Sequence, residues 1–393
     1  MRSFTSATVV RAAMAIALLS WCTASTSAQA QTSTITVASE STPEAFDDEF
    51  EAALVARPDA QWLAIGGVDV TDSDPVYGIK VFQRTASGPW LELPALPARR
   101  FSDGQGLSLV LQDPADPSPC VGYGADGGPQ LRCLADGVWR SAIRAGRHRG
   151  EQMYDVIAPT MTSLAVLFAK KVRHETTLRV ERGTTSGHFR RVGGPIEGPL
   201  LAQFVQPTSR PQVRLGVEDE GRGTEAKRYI MRPVGNRWVR DSPVARAPAG
   251  PFVGGPIVAG PATYFPATDA IAFPFEFRVL RLGPGELNWD NVGSGPLNAG
   301  VGSGQGTLGV LDGRPWAIWQ EDAEQAEGFQ SEIRVAGLEA TTDADNSTLL
   351  WAGKRIGPGS VQLVDGPGSL AYALYERGTD TGLQTVVATL ALS

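Results

Sequence analysis

The chain has 393 residues, enough for a substantial core, and its 45 glycines, 28 prolines and 20% charged residues describe a turn-rich globular protein, not a disordered one. Its formal net charge of −7 argues against nonspecific nucleic-acid binding.

Residues 1–30 read as a secretory signal peptide: Arg2 and Arg11 precede a short apolar run over 12–19, and Ala28-Gln29-Ala30 is a small-residue cleavage signal. The run is too short to span a bilayer. Cleavage is expected after Ala30; it removes two arginines and no acid, so the net charge of −7 becomes −9. Cys22 suggests a lipoprotein, but Trp21 stands where a lipobox needs a small residue. The expected location is therefore secreted or periplasmic, with no membrane span in the mature chain.

Residues 31–393 are then a series of short apolar runs separated by turn residues. The first, 33–38, stands apart. The others fall into groups: 52–57, 61–68, 77–85 and 90–93; 107–112, 120–124, 130–134 and 138–141; 154–158, 163–170, 177–181 and 188–192; 200–205, 212–217, 227–233 and 237–240; 255–259, 262–266, 275–281 and 288–292; 307–311, 315–320, 332–336 and 349–352; and finally 360–364, 369–375 and 383–392. An aromatic residue recurs near the end of the first six groups: Trp90, Trp139, Phe189, Trp238, Trp289 and Trp351, in steps of 49, 50, 49, 51 and 62. A period of about 50 residues built from four short strands predicts an all-β fold, a seven-bladed β-propeller with four-stranded antiparallel blades. The last group has three strands, so 33–38 is expected to pair as its fourth strand and close the ring, which also removes an open sheet edge. Six blades with a separate C-terminal hairpin, or tandem β-sandwiches, are the alternatives. The recurring aromatics are expected to fill the wedges between blades, as are Trp316 and Trp319 on opposite faces of one strand.

Two cysteines follow the signal, Cys120 and Cys133. Asp126-Gly127 between them is a strong hairpin signal. Folding there sets Ala125 opposite Gly128 and Cys120 opposite Cys133 on one sheet face, which predicts a disulfide across a hairpin.

In the first blade, Trp62-Leu63-Ala64-Ile65-Gly66-Gly67, then Tyr77, Trp90 and Leu93-Pro94-Ala95-Leu96-Pro97, resembles a kelch repeat. The resemblance covers one blade and implies a propeller with a binding role. Sialidases share the overall propeller shape, but their repeated S-x-D-x-G-x-T-W box is absent.

No G-x-S-x-G elbow, H-E-x-x-H, phosphate loop or Cys-His zinc spacing is present. Gly302-Ser303-Gly304-Gln305-Gly306 reads as a linker. Asp69, Asp72 and Asp74, and Asp343 and Asp345, are spaced loosely like calcium ligands without matching the full pattern. No cofactor or metal is expected.

Labelling the strands of each blade A to D outward from the channel, B–C loops and D–A linkers emerge on one face. That face is expected to be acidic around Glu44, Asp47, Asp48, Glu49, the three aspartates of blade 1, Glu218-Asp219-Glu220, 321–330 and 376–380. It is expected to be basic over blades 2 and 3, through Arg99, Arg100, Arg144, Arg147, His148, Arg149, Lys170, Lys171, Arg173 and His174, which are the candidate ligand-binding residues. Arginines there suit a carboxylate or sulfate. His188 is expected on the opposite face. The expected function is a noncatalytic binding module presenting this face to a protein or glycan. A carbohydrate-active hydrolase or lyase acting on an acidic sugar is the alternative, although the sequence nominates no acid/base pair for it. A rigid platform in an envelope assembly is a third possibility.

Overall fold

In the computed structural model every regular element is a strand. It describes residues 35–393 apart from residues 44, 71–74, 86–87, 98–105, 112–117, 126–127, 144–149, 161–162, 174, 207–211, 220–224, 249–253, 270–275, 294, 299–304, 326–327, 339–346, 355–359 and 381. The predicted signal peptide lies outside the described residues.

Strand β1 (Ile35–Ser41) comes first in the chain but belongs to the last blade. Blade 1 is β2 (Asp48–Ala56), β3 (Ala60–Val70), β4 (Pro75–Thr85) and β5 (Leu91–Glu92). Blade 2 is β6 (Leu107–Leu111), β7 (Pro119–Tyr123), β8 (Gln130–Ala135) and β9 (Val138–Ser141). Blade 3 is β10 (Gln152–Thr160), β11 (Ser163–Val172), β12 (Glu175–Gly183) and β13 (Arg190–Gly198). Blade 4 is β14 (Leu200–Phe204), β15 (Leu215–Asp219), β16 (Glu225–Val234) and β17 (Arg237–Arg240), with β18 (Ala245–Pro248) also paired to β16. Blade 5 is β19 (Ile257–Ala259), β20 (Ala262–Asp269), β21 (Glu276–Leu282) and β22 (Asp290–Asn291). Blade 6 is β23 (Gln305–Leu311), β24 (Arg314–Gln325), β25 (Gly328–Gly337) and β26 (Thr348–Lys354). Blade 7 is β27 (Val361–Asp365), β28 (Leu370–Gly378) and β29 (Leu383–Leu392), completed by β1.

The chain is thus a seven-bladed β-propeller of antiparallel blades. Ring closure is as expected: β1 pairs with β29 from Ile35 opposite Leu392 to Ser41 opposite Val387, with one bulge between Val37 and Ser39. The one departure in strand number is β18. It continues the outer edge of blade 4 beside residues 225–228 of β16, so the outermost strand of that sheet is split in two.

Packing follows the ring. Seven apolar clusters fill the seven junctions between successive blades. Trp90, Trp139, Phe189, Trp238 and Trp289 each pack against the preceding blade. Three of the indole N–H groups repeat one device, Trp139 donating to Pro94 O (2.6 Å), Trp289 to Pro243 O (3.0 Å) and Trp90 to Ser41 Oγ (3.2 Å), at or just after the outer strand of that blade, whereas the Trp238 indole N–H is buried without such a bond among the described residues. Trp351 breaks the series. It packs forward onto blade 7 beside Trp316, while Trp319 fills the wedge toward blade 5. The longer last step in the aromatic series has this as its structural counterpart.

The predicted hairpin is formed as read. Cys120 stands opposite Cys133 and the two are bonded, and Gly128 N donates to Ala125 O at 2.8 Å across the turn.

Candidate functional site

Because neighbouring strands are antiparallel, each A strand begins and each B strand ends at the same mouth of the channel. The carboxylates expected in loops at this mouth sit instead on strands that run past the ends of the apolar runs. β24 reaches Gln325, so Glu321 and Asp322 are paired with Glu332 and Ser331. Glu218 and Asp219 lie on β15, Glu376 lies on β28, and Glu49 lies on β2. Glu49, Glu218, Glu321, Asp322 and Glu376 are all buried.

A buried carboxylate is tolerated only with partners, and most of these have them. Arg228 Nε donates to Glu218 at 2.7 Å, both side chains being about 1% exposed. Like charges face each other at Glu321 and Glu332, and Arg334 bridges them at 2.7 and 2.6 Å. Trp319 Nε1 also donates to Glu321 (3.1 Å), and Ser331 Oγ donates to Asp322 (2.9 Å). Replacing Arg228 by Met strands Glu218 in the core and is expected to cost about 3–5 kcal/mol in urea unfolding. Replacing both residues by apolar ones of similar volume is expected to recover most of that. An Arg228→Met variant as stable as the parent would show that the pair contributes nothing.

Where blade 7 meets blade 1 the same mouth becomes a seam. Asp48 accepts Leu383 N (2.9 Å), Glu49 accepts Thr385 N (2.5 Å) and Ala45 N (3.3 Å), and Ser360 Oγ accepts Ala52 N (3.1 Å). Burial pushes the Glu49 carboxyl above the ordinary carboxylate range despite these bonds. Glu376 differs from its neighbours: it has no ion-pair partner among the described residues, and only the amide and hydroxyl of Ser360 lie against its carboxyl. Burial first, then the negative charges of Glu49 and Glu51, raise it to about 8, and nearby Ser360 offsets only part of this. Across the ring, Asp155 on β10 accepts an inner-edge amide of the next blade, Phe204 N (3.0 Å), and burial raises it to about 7. No signal in the sequence marks Glu376 or Asp155, because burial depends on the closed ring.

Of the basic sector, Lys170, Lys171 and Arg173 are described; Arg99, Arg100, Arg144, Arg147, His148, Arg149 and His174 lie outside the described residues. Lys170 and Lys171 were expected in a loop but lie on β11, opposite Thr177 and Thr176. β11 and β12 are joined by Arg173 and residue 174 alone, with Val172 opposite Glu175 and Arg173 in the left-handed region (φ 58°). This is a tight two-residue turn. Lys170, Lys171 and Arg173 are exposed around Val172, which is itself 56% exposed, and none of the three cations has an ion-pair partner among the described residues. His188 is exposed in the β12–β13 turn, at the other end of the blade.

Of the loose aspartates, Asp69 sits 3.8 Å from Lys80 Nζ, and Asp72, Asp74, Asp343 and Asp345 lie outside the described residues. Among the described residues no three acidic, histidine or cysteine side chains are grouped to hold a metal, and no helix is long and apolar enough to cross a membrane.

The sequence matches no protein-family profile and no curated relative. Solved structures resemble the fold. The uncomplexed acylaminoacyl peptidase of Pyrococcus horikoshii aligns at 8% identity with a TM-score of 0.50, over 87% of this chain and 51% of that one, so the chain spans about half of that peptidase. A mutant of AofleA from Arthrobotrys oligospora aligns at 12% identity and a TM-score of 0.46, covering 84% of this chain and 94% of its own. The Hadza microbial sialidase Hz136 aligns at 11% identity and 0.44, covering 84% and 76%. At such identities the likeness concerns the fold alone.

Proposed function

We propose that the chain is a secreted or periplasmic binding module that presents the B–C and D–A face of its propeller to an anionic protein or glycan. The observation that carries this is the β11–β12 hairpin tip, where three exposed cations, two at the end of β11 and one in the turn, stand without ion-pair partners among the described residues. A short paired tip holds its cations in place, so less entropy is lost on binding than from a long loop. The arginines of the neighbouring linkers, Arg99, Arg100, Arg144, Arg147 and Arg149, would extend the same sector. The disulfide suits an oxidising compartment.

The alternative, an enzyme acting on an acidic sugar, needs an accessible acid/base pair. Glu49, Glu218, Glu321 and Asp322 are committed to internal bonds, and Glu376, which has no ion-pair partner among the described residues, is 1% exposed. That balance favours binding without chemistry.

The combined variant Lys170→Gln, Lys171→Gln, Arg173→Asn tests the proposal. Asn is chosen at position 173 because it tolerates a left-handed backbone. Binding to an acidic glycan or acidic protein is expected to fall at least tenfold and to lose part of its salt dependence, with the melting temperature unchanged. Binding equal to the parent would place recognition elsewhere.

A further inference from the structure

The other end of the channel carries a second feature. A cavity of about 510 Å³ lies between the inner strands of blades 1, 5, 6 and 7, toward the ends of β2, β23 and β27, with Gln206 of blade 4 at its edge. Most of its lining residues are aliphatic, but Leu54 and Leu308 among them are buried and about half of the surface the lining presents is polar. A mixed lining of this size suits a small ligand that carries polar groups of its own.

The polar groups divide into committed and uncommitted ones. Gln362 is fully used: its amide accepts Leu54 N (2.9 Å) and donates to Leu54 O (3.0 Å), closing the inner edge of β2. Asp365, the only charged residue described in the lining, accepts Asp312 N (3.1 Å). Gln206 and Thr307 are different. Gln206 is held by its backbone, which donates to Pro256 O (2.9 Å) and bridges to Ile257, while its side-chain amide has no partner among the described residues. The Thr307 hydroxyl likewise has none. β23, which carries Thr307, is also an edge strand, laddered to β24 on one side only. The cavity therefore offers an amide, a hydroxyl and a strand edge, which both donate and accept.

We propose that this end of the channel is a binding site for a compact uncharged ligand rich in hydroxyl or amide groups. An anionic ligand would be desolvated with no cation among the described lining residues to meet it, and a cationic one would meet only a carboxylate already bonded to the backbone. The volume suits a neutral disaccharide or a capped dipeptide, two sources of the same chemistry. The site is separate from the basic hairpin tip, since it lies at the opposite ends of the A strands.

The test is ligand-observed NMR titration of the full chain with neutral disaccharides, capped neutral dipeptides and a charged counterpart of each, a uronate-containing disaccharide and a capped lysyl dipeptide. At least one neutral probe is expected to bind, at least tenfold tighter than its charged counterpart. Gln206→Trp places a bulky ring at the rim from an exposed position and is expected to weaken that binding at least tenfold. Thr307→Val removes one hydroxyl and is expected to weaken it about threefold to tenfold. Both variants should melt with the parent, and the hairpin-tip variant should bind the neutral probe normally. Sugar binding without peptide binding, or the reverse, identifies the source. Failure of every neutral probe at millimolar concentration, preference for a charged one, or binding that survives Gln206→Trp in a folded protein would overturn the proposal.

Discussion

A chain lacking Ile35–Ser41 is expected to melt far below the parent and to aggregate on heating. The strand supplies the whole outer edge of blade 7, six paired positions along β29. Its first residue, Ile35, is buried with Trp316, Leu363 and Leu390, and its last, Ser41, ties the ring shut. Ser41 Oγ donates to Val387 O in its own blade and accepts from Arg84 (2.5 Å) and Trp90 (3.2 Å) of blade 1. Glu40 accepts the Tyr375 hydroxyl at 2.5 Å. Deletion therefore uncovers apolar surface, takes the Glu40 acceptor from the Tyr375 phenol and the Ser41 acceptor from Arg84 and Trp90, and bares a β29 edge ready to pair with another chain. Burying one large aliphatic side chain is worth about 1.5–3 kcal/mol, and an orphaned buried donor costs about 1–3 kcal/mol. The total loss is expected on the order of 5 kcal/mol. Calorimetry with light scattering checks this; a truncated chain that melts with the parent and stays monomeric would refute closure by β1.

The fold is also expected to be most stable in mild acid and to weaken as pH rises toward 8. Glu376 and Asp155 have carboxyls raised to about 8 and about 7 in the folded protein, from ordinary values of 4.5 and 3.8. A carboxyl whose folded value lies above its unfolded one favours folding fully below the unfolded value, and that contribution is lost as pH climbs through the folded value. The window is therefore about pH 4 to 8, with stability falling on the alkaline side. Glu376 is the better handle, because it has no ion-pair partner among the described residues and is raised further than Asp155. Glu376→Gln keeps the shape and removes the charge. It is expected to leave stability near pH 5 close to the parent's and to gain on the order of 2–4 kcal/mol at pH 8. Melting curves from pH 5 to 8.5 decide it: parallel pH profiles for parent and variant would mean that Glu376 does not titrate in this window.

The seam that holds Glu376 shows where sequence reading stops. The period of the aromatics carried the architecture, because Trp139, Phe189, Trp238 and Trp289 do the same packing job at the same place in successive blades. The disulfide was equally legible, since Asp126-Gly127 sets a register and alternation places Cys120 and Cys133 on one face. The acids misled for a physical reason. Glu218, Glu321, Asp322 and Glu376 look in sequence like solvated loop residues, and nothing local distinguishes them from acids that continue a strand and meet Arg228, Arg334 or Ser331 across it. The partner lies 9 to 13 residues away on the next strand, and only the register of the pair reveals it. Lys170 and Lys171 were displaced from loop to strand for a related reason: Val172 extends the ladder past both of them. Strand β18 escaped because four residues ending in proline carry too little pattern to mark a strand, and pairing with β16 defines it. Trp351 was placed in the series by position, yet its packing direction is set by Trp319, which already occupies the wedge behind it.

Recognition of an anionic partner by the basic sector is the central claim. Its most direct test is binding of residues 31–393 to an array holding acidic and neutral glycans together with acidic and basic proteins, at low and moderate salt, beside a variant with Arg144→Ala, Arg147→Ala and the three hairpin-tip substitutions. Salt-sensitive binding to uronate, sialylated or sulfated glycans, or to acidic proteins, that disappears in the variant without loss of thermal stability is the predicted result. Binding that ignores both salt and the substitutions, or a variant that fails to fold, would contradict it.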